Sequence, residues 1–375
     1  MDFDFSDDQE QLRDAVRRWV DKGYTFERRR AAVANGGFDR NAYRELAELG
    51  LCGLYVSDEH GGTGMGPVEG MVAMEELGRG LVLEPLAQTL IASGVLGGHA
   101  GAELQGEWLP RIASGEALVV LAHQEARSRY RLNQVATRAV DGKLTGVKSL
   151  VPAGDVADAF IVPARQSGAE DAQDGIALYL VERDAAGVHT RPYSLYDGSR
   201  AAEVHFDNTP AQLIAGPDQG LALLELAADI GIAAQAAEAV GVMEKYLALT
   251  TEYLNTRKQF GVAIASFQAL RHRMADIKMQ LELARSMSYF ATLKLGEPAE
   301  ARRRAISQAK VQLGQAMRFV GQQCIQLHGG IGVTDEYVGS HYFKRLTLME
   351  MQYGDSLHHL GEVSRRMQDT AGVFA

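Results

Sequence analysis

Apolar positions change their period twice along the chain. Up to about residue 102 they recur at helical spacing, with Leu12, Val16 and Val20 on one stripe and Ser6, Gln9 and Glu10 placed as an N-cap. A second stripe, Tyr43, Leu46 and Leu49, ends near Gly50. The glycine-rich loop 58–67 then leads into a helical stretch through 72–80. Near Leu118 the period shortens. Residues 135–140 and 143–151 flank Asp141-Gly142, a dipeptide suited to a tight two-residue hairpin. Stretches 159–164, 176–181, 188–192 and 203–206 predict further strands, and the polar run 166–175 predicts a solvated loop. After Pro217 no proline occurs until Pro298, and the helical period returns over 221–256, 266–295, 300–327 and 343–367. Helices of that length with broad apolar stripes predict a bundle. The pattern therefore divides the chain into a helical segment (1–117), a β segment (118–216) and a helical bundle (217–375).

Composition narrows the function. A net charge of -10 over 375 residues gives no basic footprint for nucleic acid, and it disfavours attachment to an anionic membrane. No apolar run reads as long enough to cross a bilayer. The acidic, amphipathic N-terminus is unlike a targeting peptide, so a cytoplasmic protein is expected. Two cysteines, Cys52 and Cys324, sit in apolar stretches and read as buried thiols rather than a disulfide or metal pattern.

Three motifs carry a resemblance. They are EELGRG (75–80), RKQFG (257–261) followed by FQALRHRMADI (267–277), and QLHGGIG (326–332) followed by Glu336-Tyr337. In this order and spacing the chain resembles the acyl-CoA dehydrogenase family. HQEARSRY (123–130) and the segment 341–360 resemble its pimeloyl-CoA dehydrogenase small-subunit branch. The resemblance implies a mainly α fold with a small β domain: N-terminal helices, a β-barrel-like middle domain and a C-terminal four-helix bundle. It also implies FAD as cofactor, an acyl-CoA substrate, and an electron-transfer flavoprotein or similar acceptor. The assembly would be a homodimer, a homotetramer, or a heterotetramer with a related subunit. Arg257, Phe260 and Gln268 would face a neighbouring subunit's FAD, with Gln326, Gly329 and Gly330 beside the same cofactor. Arginine's fork of donors suits a pyrophosphate. Arg257 also fits a solvated helix-end cation, and Gly329-Gly330 also fits a helix C-terminal turn.

The chain departs from that family where the chemistry is done. The expected α,β-dehydrogenation needs a carboxylate to take the α proton of the thioester. Tyr353 stands where the family keeps that Glu, and an unperturbed tyrosine titrates at about 10. The other address used in the family falls on Gly231. Asp229 nearby is turned away by roughly 200° of helix. Asp355 is the nearest acid, and two roles stay open for it: displaced base, or N-cap of the helix that follows. Glu350 reads as a solvated helix residue, and His358 and His359 as surface or interface residues. Hydroxyls that in the family bond the flavin ring are missing, which leaves the backbone, or Gln124 and Ser128, as candidates. Arg127, Arg129 and Arg131 alternate with Ser128 and Tyr130. At strand spacing they would share one face, either a solvated basic edge or, at Arg127 and Arg129, a site for CoA phosphates or a carboxylated acyl tail. Two functions follow: an FAD-dependent acyl-CoA dehydrogenase with a displaced base, or a half-site subunit whose partner carries the Glu.

Overall fold

The computed structural model describes residues 5–370, so the first four residues of the acidic N-terminus lie outside it. The chain forms two compact units assembled from non-adjacent stretches. One gathers the N-terminal helix to Arg29, Met71–Val82 and the chain from Ile232 onward; the other holds Arg30–Gly70 and Leu83–Gly231.

The second unit is built on an eight-stranded sheet. Its strands are β1 (Val119–Leu121), β2 (Arg138–Val140), β3 (Lys143–Pro152), β4 (Ala159–Arg165), β5 (Ile176–Glu182), β6 (Val188–Ser194), β7 (Arg200–Pro210) and β8 (Gln212–Ala215). The order is β6-β7-β3-β2-β4-β5-β8, with β1 parallel to β4. Strands β4 and β5 are apolar almost throughout and buried on both faces, as expected of covered strands. Strand β6 lies at the edge, alternates in exposure and holds Pro192, which an edge tolerates. The β2–β3 turn has Asp141 and Gly142 at φ 48 and 73, the hairpin geometry that Asp-Gly predicts. Helices α2 (Phe26–Ala34, most of it here), α3 (Arg40–Glu48), α5 (Leu86–His99) and α6 (Ala102–Ala113) complete this unit.

The first unit holds α1 (Asp7–Gly23), most of α4 (Pro67–Arg79), the greater part of α7 (Gly220–Thr256), the hairpin β9 (Lys258–Gln259) with β10 (Val262–Ala263), and α8 (Gln268–Leu293), α9 (Ala299–His328), α10 (Val338–Met351) and α11 (Ser356–Thr370). Ser6 and Gln9 form the expected capping box on α1. Helix α9 is central, packed against α8, α10 and α11. The EELGRG motif turns out to be a helix crossing. A Cβ on Gly78 would lie 2.2 Å from the carbonyl oxygen of Glu238, and one on Gly241 would lie 1.8 Å from that of Glu75. Helices α4 and α7 thus meet backbone to backbone. The motif's acids are bound alongside: Glu75 to Arg285, and Glu76 to Arg17 and Arg79.

Two expectations need correction. Helix α7 is long and apolar enough to cross a membrane by length and composition, although 78% of its most apolar window is buried inside the chain. It is apolar all round because it is covered all round. The helix expected over 343–367 is broken into α10 and α11, because Tyr353 and Gly354 adopt φ 57 and 111.

Candidate functional site

The α10–α11 break is held from several sides. Tyr353 is a non-glycine residue in the left-handed region, which costs about 1–2 kcal/mol and persists where the surroundings fix it. The buried His359 ring, 2% exposed, donates from Nε2 to the Tyr353 carbonyl at 3.0 Å and faces the Ser307 hydroxyl with Nδ1 at 3.3 Å. Burial, and then the charge of Lys310, push that imidazole down to about 3, so it is neutral. This corrects the reading of His359 as a surface residue: it sits behind the turn. His358 is half-buried. A Cβ on Gly354 would lie 2.6–2.7 Å from the His358 and His359 rings, so glycine there is required by contact as well as by φ.

Beneath the turn lies a lysine that the sequence reading overlooked. Lys310 on α9 is 2% exposed and donates from Nζ to Gln235 Oε1 and to the Met349 carbonyl, both at 2.7 Å. Gln235 in turn donates to Gln352 Oε1, on the residue just before Tyr353. Glu350, expected to be solvated, is 6% exposed; it accepts from the Ser356 amide and hydroxyl and from Arg318. That correction follows from its place on the covered side of α10. Asp355 Oδ1 accepts the His358 amide at 2.8 Å, so Asp355 caps α11. Asp229, two residues before Gly231 at the second address, is fully buried.

Burial pushes the Lys310 ammonium down to about 7, partly offset by Glu350 and Asp355. An unfolded lysine keeps its proton to about 10.4. Between those values the unfolded chain binds the extra proton, so stability rises with pH and is lost again as pH falls toward 7. Urea midpoints of the wild type should therefore gain on those of Lys310→Met between about pH 7 and pH 9. Parallel profiles would show that Lys310 stays charged throughout.

The RKQFG stretch folds as a two-residue hairpin. Phe260 and Gly261 take φ 53 and 79 at its tip, and Val262 and Ala263 pair with Gln259 and Lys258. Arg257 is exposed at the end of α7, with its carbonyl closed onto the Ile264 amide at 2.9 Å. Phe260 is 91% exposed and meets the Phe267 ring edge to face at 6.1 Å. Gln268 is the exposed first residue of α8. Beside the hairpin is a cleft of about 270 Å³ lined by Thr251, Leu254, Asn255, Ala265, Arg271 and Met274.

Gln326 is exposed on the last turn of α9, and Gly329 caps that helix at φ 64. The helix end is fixed by His328, which donates from Nδ1 to the Cys324 carbonyl and accepts the Tyr337 hydroxyl at Nε2, both at 2.8 Å. A Cβ on Gly329 or Gly330 would meet nothing within 4 Å. Among the described residues, therefore, none asks for glycine at 330. An exposed fork of donors and an open, bare backbone turn are a donor set that fits a dinucleotide's pyrophosphate and adenosine.

In the β unit the segment 126–130 is a succession of turns, not a strand, so the shared strand face expected for Arg127 and Arg129 does not exist. The cause is Ser128. Its hydroxyl accepts the Glu125 amide at 3.0 Å and donates to the Glu125 carbonyl at 2.9 Å, which winds the chain and occupies the hydroxyl expected to serve a cofactor. Glu125 is buried and accepts from the Ala136 amide, the Thr137 amide and hydroxyl, and Lys148 Nζ at 2.7 Å. Gln124 is half-buried, its carbonyl taken by the Ser149 amide. The loop 166–175 is solvated as expected, yet Arg165 beneath it donates to six backbone carbonyls, those of Asn133, Val135, Ser167, Glu170, Ala172 and Asp174.

Known proteins resemble the chain over nearly its whole length. The family model "Acyl-CoA dehydrogenase, N-terminal domain" matches residues 6–116, and "Acyl-CoA dehydrogenase, C-terminal domain" matches residues 218–368. The chain is similar to acyl-CoA dehydrogenase IpdE2 of Mycobacterium tuberculosis, at 31% identity over 90% of this chain and 91% of that protein. It is similar also to acyl-CoA dehydrogenase FadE27 of the same organism, at 27% identity over 99% and 100%. Among solved structures, a variant of the Tcur3481-Tcur3483 steroid ACAD superposes with a TM-score of 0.88 at 27% identity, covering 97% and 98% of the two chains. The ChsE4-ChsE5 complex from Mycobacterium tuberculosis also gives 0.88, at 25% identity over 99% and 100%.

Proposed function

We propose a division of labour for this chain, which belongs to the acyl-CoA dehydrogenase family: it lends FAD contacts to a partner subunit, and the partner carries the carboxylate that takes the substrate's α proton. FAD, when bound, accepts the hydride leaving the β carbon of the acyl-CoA thioester. Everything else falls to side chains. Arg257, Phe260, Gln268, Gln326, Gly329 and Gly330 are the residues that would hold the dinucleotide, and all six are exposed.

The observation that carries this reading is a contrast. The pieces that by family resemblance serve a neighbour's cofactor are intact and point outward. The pieces that would serve the chain's own reaction are altered: Tyr353 stands at the base address and Ser128's hydroxyl is engaged by Glu125. A tyrosine there cannot take a proton from an α carbon at neutral pH at a useful rate. Two of the similar solved structures, Tcur3481-Tcur3483 and ChsE4-ChsE5, pair two differently named chains, which supports a heteromer here. The finer branch, pimeloyl-CoA dehydrogenase small subunits, belongs to the same proposal, as does an electron-transfer flavoprotein as acceptor.

A second reading keeps the chain catalytic by itself, with Asp355 as displaced base; its place two residues beyond the address, half-buried, favours it. Asp355→Asn separates the two. The amide oxygen still caps α11, so folding survives. If Asp355 is the base, flavin bleaching by acyl-CoA falls by about 10²-fold or more. Under the lending reading, bleaching is absent or weak in the chain alone, appears with a co-expressed partner, and is unchanged by Asp355→Asn. Arg257→Ala would then lower FAD content in the co-expressed complex, while Asp355→Asn leaves it full.

A further inference from the structure

The loop following β1 carries charge out of proportion to the rest of this acidic chain. Between His123 and Val140 stand Arg127, Arg129, Arg131 and Arg138 against a single acid, Glu125. That acid is buried and held by Lys148, so it neutralises none of them at the surface. Arg127, Arg129 and Arg131 are all exposed, and Arg129 lies over the Tyr130 ring at 5.1 Å. Among the described residues neither Arg127 nor Arg131 forms an ion pair or a side-chain hydrogen bond. At the far end of the loop Gln134 donates to the Glu170 carboxylate and Asn133 to the Asp171 backbone carbonyl.

These arginines are also fixed in place from below. Three successive turns wind the chain, Ser128 amide to Glu125 carbonyl, Arg131 amide to Ser128 carbonyl and Gln134 amide to Arg131 carbonyl, at 3.0–3.2 Å. Glu125 anchors the start of that winding to Ala136, Thr137 and Lys148, and Arg165 anchors its end through the carbonyls of Asn133 and Val135. Arg129 itself is held at φ 47, a conformation unfavourable for a non-glycine residue. A surface loop that only needed solubility would not need two buried charges to hold its shape. Repelling cations held together on such a support suit a multiply charged anion.

We propose that this turn is a phosphate-binding site, in which Arg127 and Arg131 grip the phosphates of the nucleotide end of a CoA thioester. The proposal rests on the acyl-CoA dehydrogenase reading for its ligand and extends it by naming the residues that take the phosphates. FAD carries phosphates too, and the test separates the two sources. Calorimetric titration of the FAD-loaded protein with CoA, dephospho-CoA and adenosine 3′,5′-bisphosphate is compared between wild type and the double variant R127A/R131A. Loss of two charge-assisted forks should weaken CoA binding by about 30-fold or more, with a shallower salt dependence. FAD content and unfolding midpoint should stay as in wild type, both positions being exposed. Arg127→Lys, which keeps charge but not the fork, should fall between. Equal CoA affinity in wild type and double variant overturns the site. So does a loss of FAD with CoA affinity retained, which would make FAD the ligand. Either failure leaves the lending of Arg257 to a partner's cofactor intact, because that reading is judged by FAD content and co-expression.

Discussion

Tyr353→Glu should turn the FAD-loaded chain into a faster dehydrogenase of acyl-CoA, raising the rate of flavin bleaching by about 10²–10⁴-fold, the usual contribution of a placed general base. The reason lies in how the backbone at that address is held. The turn is held by His359 on the Tyr353 carbonyl, by Lys310 on the Met349 carbonyl, and by Lys310 through Gln235 on Gln352. None of those bonds involves the residue 353 side chain. A glutamate would inherit the same left-handed backbone at a similar strain. Tyr353→Gln is the control: similar size, no base, and no gain. Stopped-flow absorbance of the flavin on mixing with acyl-CoA measures the effect. A Tyr353→Glu protein that holds FAD yet bleaches no faster than Tyr353→Gln would show that more than the base has been lost.

The second large effect concerns stability. Glu125→Ala should destabilise the fold by about 3–5 kcal/mol, the range for removing one partner of a buried ion pair. Lys148 is wholly buried, with its pKa pushed down to about 8 by that burial despite the carboxylate beside it. For Glu125, burial alone would raise the pKa, but Lys148 and the donors of Ala136 and Thr137 outweigh it and hold the carboxyl below its usual range. Removing the acid leaves an ammonium with nothing to offset its desolvation. Glu125→Leu combined with Lys148→Met should recover part of the loss, because it removes the unpaired ammonium while the Ala136 and Thr137 donors stay without their acceptor. Urea unfolding of the single and double variants checks both statements. A single variant within about 1 kcal/mol of wild type, on the order of an ordinary surface change, would mean that water reaches Lys148.

Much of the fold was legible because burial imposes a period. Helices α7, α8 and α9 and strands β3, β4 and β5 stand close to where apolar spacing puts them, and Asp141-Gly142 turns as its residue types require. The candidate site was legible only in part. The resemblance puts Tyr353 at the base address, but the break around it was hidden, since a tyrosine in the left-handed region has no local signature. His359 and Glu350 were misread because their partners, Ser307 and Ser356, mean nothing until the helices pack. Lys310 did leave a trace: it interrupts the stripe of Ile306, Leu313 and Met317, and a lysine in an apolar stripe calls for a buried partner. The arginines at 127, 129 and 131 misled for the opposite reason. Their alternation imitates a strand, while the one serine between them closes turns.

The guanidinium of Arg165 separates two properties that usually travel together. Residues 166–174 are polar, small and, Ala172 apart, exposed, the composition at which a protease ordinarily nicks a folded protein. A protease must first draw such a segment out into its own cleft. Here that would strip one side chain of Ser167, Glu170, Ala172 and Asp174 together, and loosen the support of the neighbouring loop at Asn133 and Val135. The segment most accessible to water is thereby among the harder ones to cut, and limited digestion should leave it whole while other exposed stretches are cleaved.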